Sequence, residues 1–206
     1  MPKVSPEHEQ RRREEILRAA LKCFARRGYH LTTMDDIVEK AGLSKGAIYQ
    51  YFSTKEDLFL ALCRMQQADL RKRLEEAFAG GGHVRERLER GAKVFLASLK
   101  GEYRDLPRVG LEFWSEARRR PEFRKESRRN YLTWRAFLAK VIADGVHRGE
   151  IQAEVGPDAL ASVILAVSDG LTLHSLIHGK GIEPEEVMSV FLAASFQGIG
   201  VRPAPG

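Results

Sequence analysis

At 206 residues, with 43 % hydrophobic and 30 % charged side chains, the chain is long and apolar enough to bury a real core and is no disordered tail. Its formal net charge of +6 suits an anionic partner without proving one. The N-terminal stretch has no signal-peptide apolar core, Asp169 interrupts the most apolar run, and no nucleophile elbow, P-loop, HExxH or GxGxxG occurs, so a cytoplasmic protein that is not an enzyme is expected, with no cofactor and no membrane partner.

Residues 1 to 8 carry two prolines and no periodicity, which predicts a frayed start. From Glu9 the pattern is helical: Ile16, Ala19, Ala20, Cys23 and Phe24 form one stripe, and Gly28 should stop the helix near residue 27. Arg11, Arg12 and Arg13 stand at its start, where the helix dipole disfavours cations, so they read either as phosphate contacts or as ordinary solvated charge. Thr33 is placed to cap a second helix with Asp35 and Asp36 in its first turn, Met34, Ile37, Val38 and Ala41 on its buried face, and Gly42 as a left-handed end. Ser44 then caps a third helix, Lys45 to Tyr51, only about two turns long. Two short helices joined by such a turn are the helix-turn-helix unit.

The third helix crowds Lys45, Gly46, Tyr49, Gln50 and Tyr51 around Ala47 and Ile48. In a helix-turn-helix the second helix enters the DNA major groove N-terminus first. There Gly46 lets backbone approach backbone, Lys45 meets phosphate or a guanine edge, and Gln50 is a type that reads adenine. The alternative is a helical hairpin whose polar face is merely solvated, which two tyrosines one turn from a lysine weigh against. Thr33, Ser44, Lys45, Gly46, Ala47, Tyr49, Gln50, Tyr51 and Lys55 are therefore the candidate DNA-binding residues, with Thr33 and Lys55 assigned to phosphates.

The run T-T-x-x-x-I-V-x-x-A-G-L-S-K-G-x-I-Y-x-Y-F-x-x-K-E-D-L from Thr32 to Leu58, preceded by I-L-x-A-A-x-x-x-F-x-x-x-G-Y from Ile16 to Tyr29, resembles the DNA-binding signature of the TetR family of bacterial transcriptional regulators. Beyond Leu62 only weaker echoes follow, at Glu112 to Phe123 and Asp169 to Leu171. The resemblance implies an all-α protein: a three-helix DNA-binding head over 1–53, a helical ligand-binding and dimerisation domain over 54–201, and a tail over 202–206. It also implies a double-stranded DNA operator as partner, a small-molecule effector among the body helices, and a homodimer through the two C-terminal helices.

A capping pattern at Thr54 and Asp57 opens a fourth helix running to about Phe78, with Lys55 as a cation in its first turn, and Gly80 to Gly82 end it. One rod thus ties the head to whatever follows. Further helices are expected over 83–100, 106–119, 122–148, 157–178 and 184–197. Phe95, Leu99, Phe113, Trp114, Tyr131, Trp134 and Phe137, with Tyr103 near them, form either a core or a lined cavity. The resemblance favours a cavity, making the seven candidate ligand-binding residues. Arg118, Arg119, Arg120, Arg124, Lys125, Arg128 and Arg129 stand against Glu122 and Glu126 within the run, and read as a solvated face or as a guanidinium collar for an anionic ligand such as an acyl thioester; Glu112 and Glu116 could also pair with them across a helix turn.

The last two helices are apolar around most of their circumference, so a second side must be covered, which a two-fold copy would do. His174 and His178, one turn apart, lack a third metal ligand, and no metal is expected. Cys23 and Cys63 have no zinc spacing; two buried thiols and a bridge between them both stay open, and control by a protein partner or by thiol redox state is the alternative to a small molecule.

Overall fold

The computed structural model describes residues 5–100, 106–151 and 156–198. Nine α-helices, and no β-strand among the described residues, build it: α1 Pro6–Leu31, α2 Met34–Ala41, α3 Lys45–Tyr51, α4 Lys55–Ala79, α5 Val84–Ser98, α6 Leu106–Ala117, α7 Pro121–His147, α8 Pro157–His178 and α9 Pro184–Gly198. The protein is all-α, as expected. Tyr103 and the tail lie outside the described residues.

Local chemistry sets most boundaries. Ser5 caps α1 by accepting from the His8 N–H, so the helix starts at Pro6, a turn earlier than expected, with proline in the first turn where its missing N–H costs nothing. Gly28, at φ 76 and ψ 167, breaks α1 into a long helix and a terminal turn. Only glycine adopts that conformation readily, and a Cβ there would stand 3.0 Å from the Glu112 carboxylate of α6. His83 and Glu86 form a capping box at α5.

Two apolar cores follow. The first holds Ile16, Ala20, Phe24, Tyr29, Ile37, Ile48, Phe52, Leu58, Phe59 and Leu62 from α1 to α4, and also Val109 and Phe113 of α6 and Phe123 of α7. The head is therefore closed by the body. Phe59 is the hub, its ring 4.9 Å from Phe24, 4.7 Å from Tyr29 and 5.9 Å from Phe123. The second core packs Phe78, Val84, Leu88, Leu138, Ile142, Ile151, Leu160, Ala161 and Phe196 around α7. Gly91 and Gly145 let helices approach there: a Cβ at Gly91 would meet Phe78 at 2.5 Å, and one at Gly145 would meet Val84 at 2.9 Å.

Candidate DNA-binding head and ligand cavity

The head presents α3 on a rigid base. Thr33 Oγ1 accepts from the Asp36 N–H at 3.1 Å while the Thr33 N–H donates to Asp36 Oδ2 at 2.7 Å, a full capping box that holds the Asp36 carboxyl below its ordinary range. Gly42, at φ 65, returns its N–H to the Val38 and Glu39 carbonyls, and Ser44 Oγ accepts from the Ala47 N–H at 3.2 Å. The turn between α2 and α3 is thus fixed at both ends.

Ile48 is wholly buried, and Ala47 and Tyr51 are half-buried, Tyr51 packing against the head core. The other side of α3 is bare: Ser44, Lys45, Gly46, Tyr49 and Gln50 are exposed, as is Thr33 at the start of α2. A Cβ at Gly46 would meet nothing within 4 Å, so backbone is open to an approaching surface at that point. Lys45 Nζ is poised 2.8 Å from Asp35, whose hydrogen bond raises its pKa and keeps it charged.

Lys55 requires a correction. Its ammonium donates to the carbonyls of Tyr29, His30 and Thr32 at 2.8, 3.3 and 2.9 Å and lies 4.5 Å from the Tyr29 ring centroid. The cation in the first turn of α4 is matched by the carbonyl-rich end of α1 rather than needing a phosphate. The sequence could not show this, because α1 and α4 meet only through the fold.

In the body a cavity of about 600 Å³ opens among α4 to α9. Phe95, Leu99, Phe113, Trp114, Tyr131 and Trp134 line it, whereas Phe137 does not. Phe137 stacks edge-on 5.3 Å from Phe78 and 6.1 Å from Trp134, one layer behind the wall. The Trp134 indole N–H donates to Gln67 Oε1 at 2.9 Å, and the Tyr131 hydroxyl and Ser162 Oγ are 2.9 Å apart, which pins both rings. The sequence reading passed over Gln67 and Asp169 as lining residues; the signal for Asp169 was its place inside an otherwise apolar helix.

The arginine run is divided: Arg118, Arg119, Lys125 and Arg128 are exposed, and the other three cations are engaged within the protein. Arg120 bridges Glu116 and Glu56, both at 2.7 Å, Arg129 pairs with Glu126, and Arg124 donates to the carbonyls of Ala117 and Arg118. Of the run, only Arg124 and Arg128 line the cavity, so no collar of guanidinium groups surrounds it.

Helix α6 joins the two regions. Val109 and Phe113 belong to the head core and also line the cavity. One turn on, Glu116 is only 1 % exposed, with Oε2 on Arg120 and Oε1 3.0 Å from His30 Nε2 at the end of α1. A polar latch thus ties α1, α4, α6 and α7 together.

Cys23 and Cys63 are free, so no bridge joins them. Cys63 lines the cavity, and burial pushes its thiol up, away from the reactive thiolate that a redox sensor needs. The His174 and His178 rings stack 5.3 Å apart, and no group of three metal-ligating side chains occurs among the described residues. Over 18 residues α8 reaches a mean hydropathy of 1.7, enough by length and composition to cross a membrane, yet it packs on α7 and walls the cavity.

Residues 16–62 match the family of bacterial regulatory proteins described as the tetR family, and residues 84–194 match the C-terminal domain of BetI-type transcriptional repressors. The chain is 32 % identical over 184 residues to the uncharacterised HTH-type transcriptional regulator YfiR of Bacillus subtilis, covering 85 % of each chain. It is 32 % identical over 170 residues to the transcriptional repressor AcnR of Corynebacterium diphtheriae, covering 82 % of this chain and 84 % of that one. Among solved structures, a putative regulator from Saccharomonospora viridis in complex with choline superposes with a TM-score of 0.80 at 28 % identity, over 91 % of this chain and 96 % of that one. With a bare third helix on a capped turn and an apolar cavity behind it, this chain belongs to the TetR family of transcriptional regulators, with a BetI-type C-terminal domain; it is a regulator like its relatives rather than an enzyme.

Proposed function

We propose that the protein is a cytoplasmic, ligand-responsive repressor: a homodimer holds a near-palindromic operator with two copies of α3, and a small apolar ligand in the body cavity releases it. The observation that carries this is α6, whose Val109 and Phe113 wall the cavity while packing in the head core. A ligand that moves Trp114 or Phe113 must also move the support of α1 and α4. Packed helices shift as rigid bodies, so a small displacement reaches the reading head. An acyl-thioester effector would find Arg124 and Arg128 for its phosphates, together with Arg73, which is already paired with Asp69; the rest of the lining is mostly apolar, which favours a mainly apolar ligand.

DNA contact is assigned to Thr33, Ser44, Lys45, Gly46, Ala47, Tyr49, Gln50 and Tyr51, with the exposed Tyr49 and Lys45 as its principal side chains. Two heads should meet half-sites at least about 34 Å apart on one face of the duplex. The test is a gel shift on the chain's own upstream DNA. Tyr49→Ala and Lys45→Ala should each abolish retention while moving the melting temperature by no more than about two degrees, because both side chains are exposed. Retention by both variants would remove α3 from the interface.

A further inference from the structure

Arg118, Arg119 and Arg120 make the turn between α6 and α7, and they open a stretch, 118 to 129, with seven cations against two acids in twelve residues. Arg120 is spent inside the protein on Glu56 and Glu116. Arg118 and Arg119 are exposed, do not line the cavity, and have no ion pair or side-chain hydrogen bond among the described residues. The same holds for Lys125, one turn into α7. Glu122 balances one of these three charges, and two remain.

The backbone of this turn is fixed. The Arg119 and Arg120 N–H groups both donate to the Glu116 carbonyl at 2.9 Å, and the Arg124 guanidinium donates to the carbonyls of Ala117 and Arg118 at 3.3 and 3.0 Å. The turn is also fastened to the head: Arg120 holds Glu56 in the first turn of α4 at 2.7 Å, and Glu116 lies 3.0 Å from His30, three residues before Thr33. Arg118 and Arg119 are one or two residues from Arg120, no more than about 7 Å of chain. Two unmatched guanidinium groups therefore stand beside the edge of the head where α1 passes to Thr33. Three of the head's own cations are already matched, Arg27 by Asp36, Lys45 by Asp35 and Lys55 by three carbonyls. A large share of duplex affinity comes from cations set against phosphates, for which guanidinium is well shaped.

We propose that the turn between α6 and α7 is a second DNA-binding element: Arg118 and Arg119, with Lys125, take phosphates of the duplex beside the half-site that α3 reads. The proposal rests on the reading of α3 as the helix in the groove. Phosphate contacts position a protein without specifying sequence, so the turn adds affinity on any duplex and leaves the choice of bases to α3. It also sets the body, and not the head alone, against the DNA.

The experiment measures, for the full-length protein, the affinity for a labelled duplex of the chain's own upstream DNA and for a scrambled duplex of the same composition, over a series of salt concentrations. The test variant is Arg118→Gln with Arg119→Gln. The control is Lys72→Gln with Lys140→Gln, which removes the same charge from exposed positions about 25 Å along α4 from Lys55 and about 28 Å along α7 from Pro121, beyond the reach of screened charge. The test variant should lose about 0.9 unit of salt slope for every phosphate contact removed, hence more than one unit in a dimer, and should lose it equally on both duplexes. Its melting temperature should stay within about two degrees of wild type, because both side chains are exposed. The control should keep the wild-type slope. An unchanged slope in the test variant, an equal loss in the control, or a loss confined to the upstream duplex would each overturn the phosphate assignment. If Tyr49→Ala abolishes the preference for the upstream duplex while the test variant keeps its slope, the reading of α3 stands and the turn falls. If wild type shows no preference between the duplexes, the reading of α3 falls and the slopes still decide the turn. If wild type retains neither duplex, both fall together.

Discussion

Lys55 illustrates how one side chain can replace an external ligand. Its three internal carbonyl contacts close the end of α1 onto the start of α4, and hydrogen bonds to a charged group contribute roughly 1.5–3 kcal/mol where they are shielded. Lys55→Met should therefore lower the melting temperature by about 4–8 degrees while leaving the salt slope of operator binding unchanged. A slope reduced by about one unit would return Lys55 to the phosphates. Asp169 works in the opposite direction: its raised carboxyl favours the protonated folded state, so its charge costs stability above pH 6, a cost that disappears as pH falls towards 4. Asp169→Asn should raise the melting temperature at pH 7.5, and the gain should shrink at pH 4.5. Solvent reaching the side chain keeps the gain small. Equal melting temperatures at both pH values would mean that the carboxylate already has a partner.

At the level of elements, α6 is the connector that the sequence did not reveal. The pattern over Leu106–Ala117 shows an amphipathic helix, and the long fourth helix, shared by head and body, looked like the mechanical link. Both cross between the regions, but α6 alone carries Glu116, buried and tied to His30 and Arg120. Glu116→Gln keeps the shape and removes the charge that holds Arg120 and faces His30. It should leave ligand quenching and operator affinity in place singly while reducing the factor by which ligand weakens operator binding, a coupling typically of about 1–3 kcal/mol. An unaltered factor would clear the latch of any part in the signal. The caps Thr33 and Ser44, the left-handed Gly42 and the break at Gly28 were legible because each depends on a few neighbouring residues. The site of Lys55, the retreat of Phe137 onto Phe78 behind Trp134 and the pairing of Arg120 with Glu56 were not, because each needs a partner from a distant helix. Periodicity gives a residue's face, and only packing gives its neighbour.

For the whole molecule, the apolar surface left open is what motivates the proposed pairing of two copies. Only 17 % of the most apolar stretch of α8 is buried, although that helix is rich in valine, leucine and isoleucine. Val163 and Ile177 on α8 and Val187 and Val190 on α9 are exposed, with Val190 63 % open to solvent. Isolated apolar side chains on a surface need no partner, but two successive helices that each present several of them expose more apolar surface than scattered side chains do. An isologous pairing would cover it by setting the same two helices of each copy against one another, and would fix the distance between the two heads. That distance is what lets two weak half-site contacts act as one strong one, since the second head binds at the effective concentration set by the first. Val190→Arg should give a folded monomer in analytical ultracentrifugation, because the introduced charge remains solvated in the monomer and is buried unpaired in the dimer. The monomer should keep its tryptophan quenching by apolar ligand and lose operator retention at concentrations where wild type is fully bound. A Val190→Arg protein that still sediments as a dimer, or a monomer that still holds the operator, would place the assembly surface elsewhere than on α8 and α9.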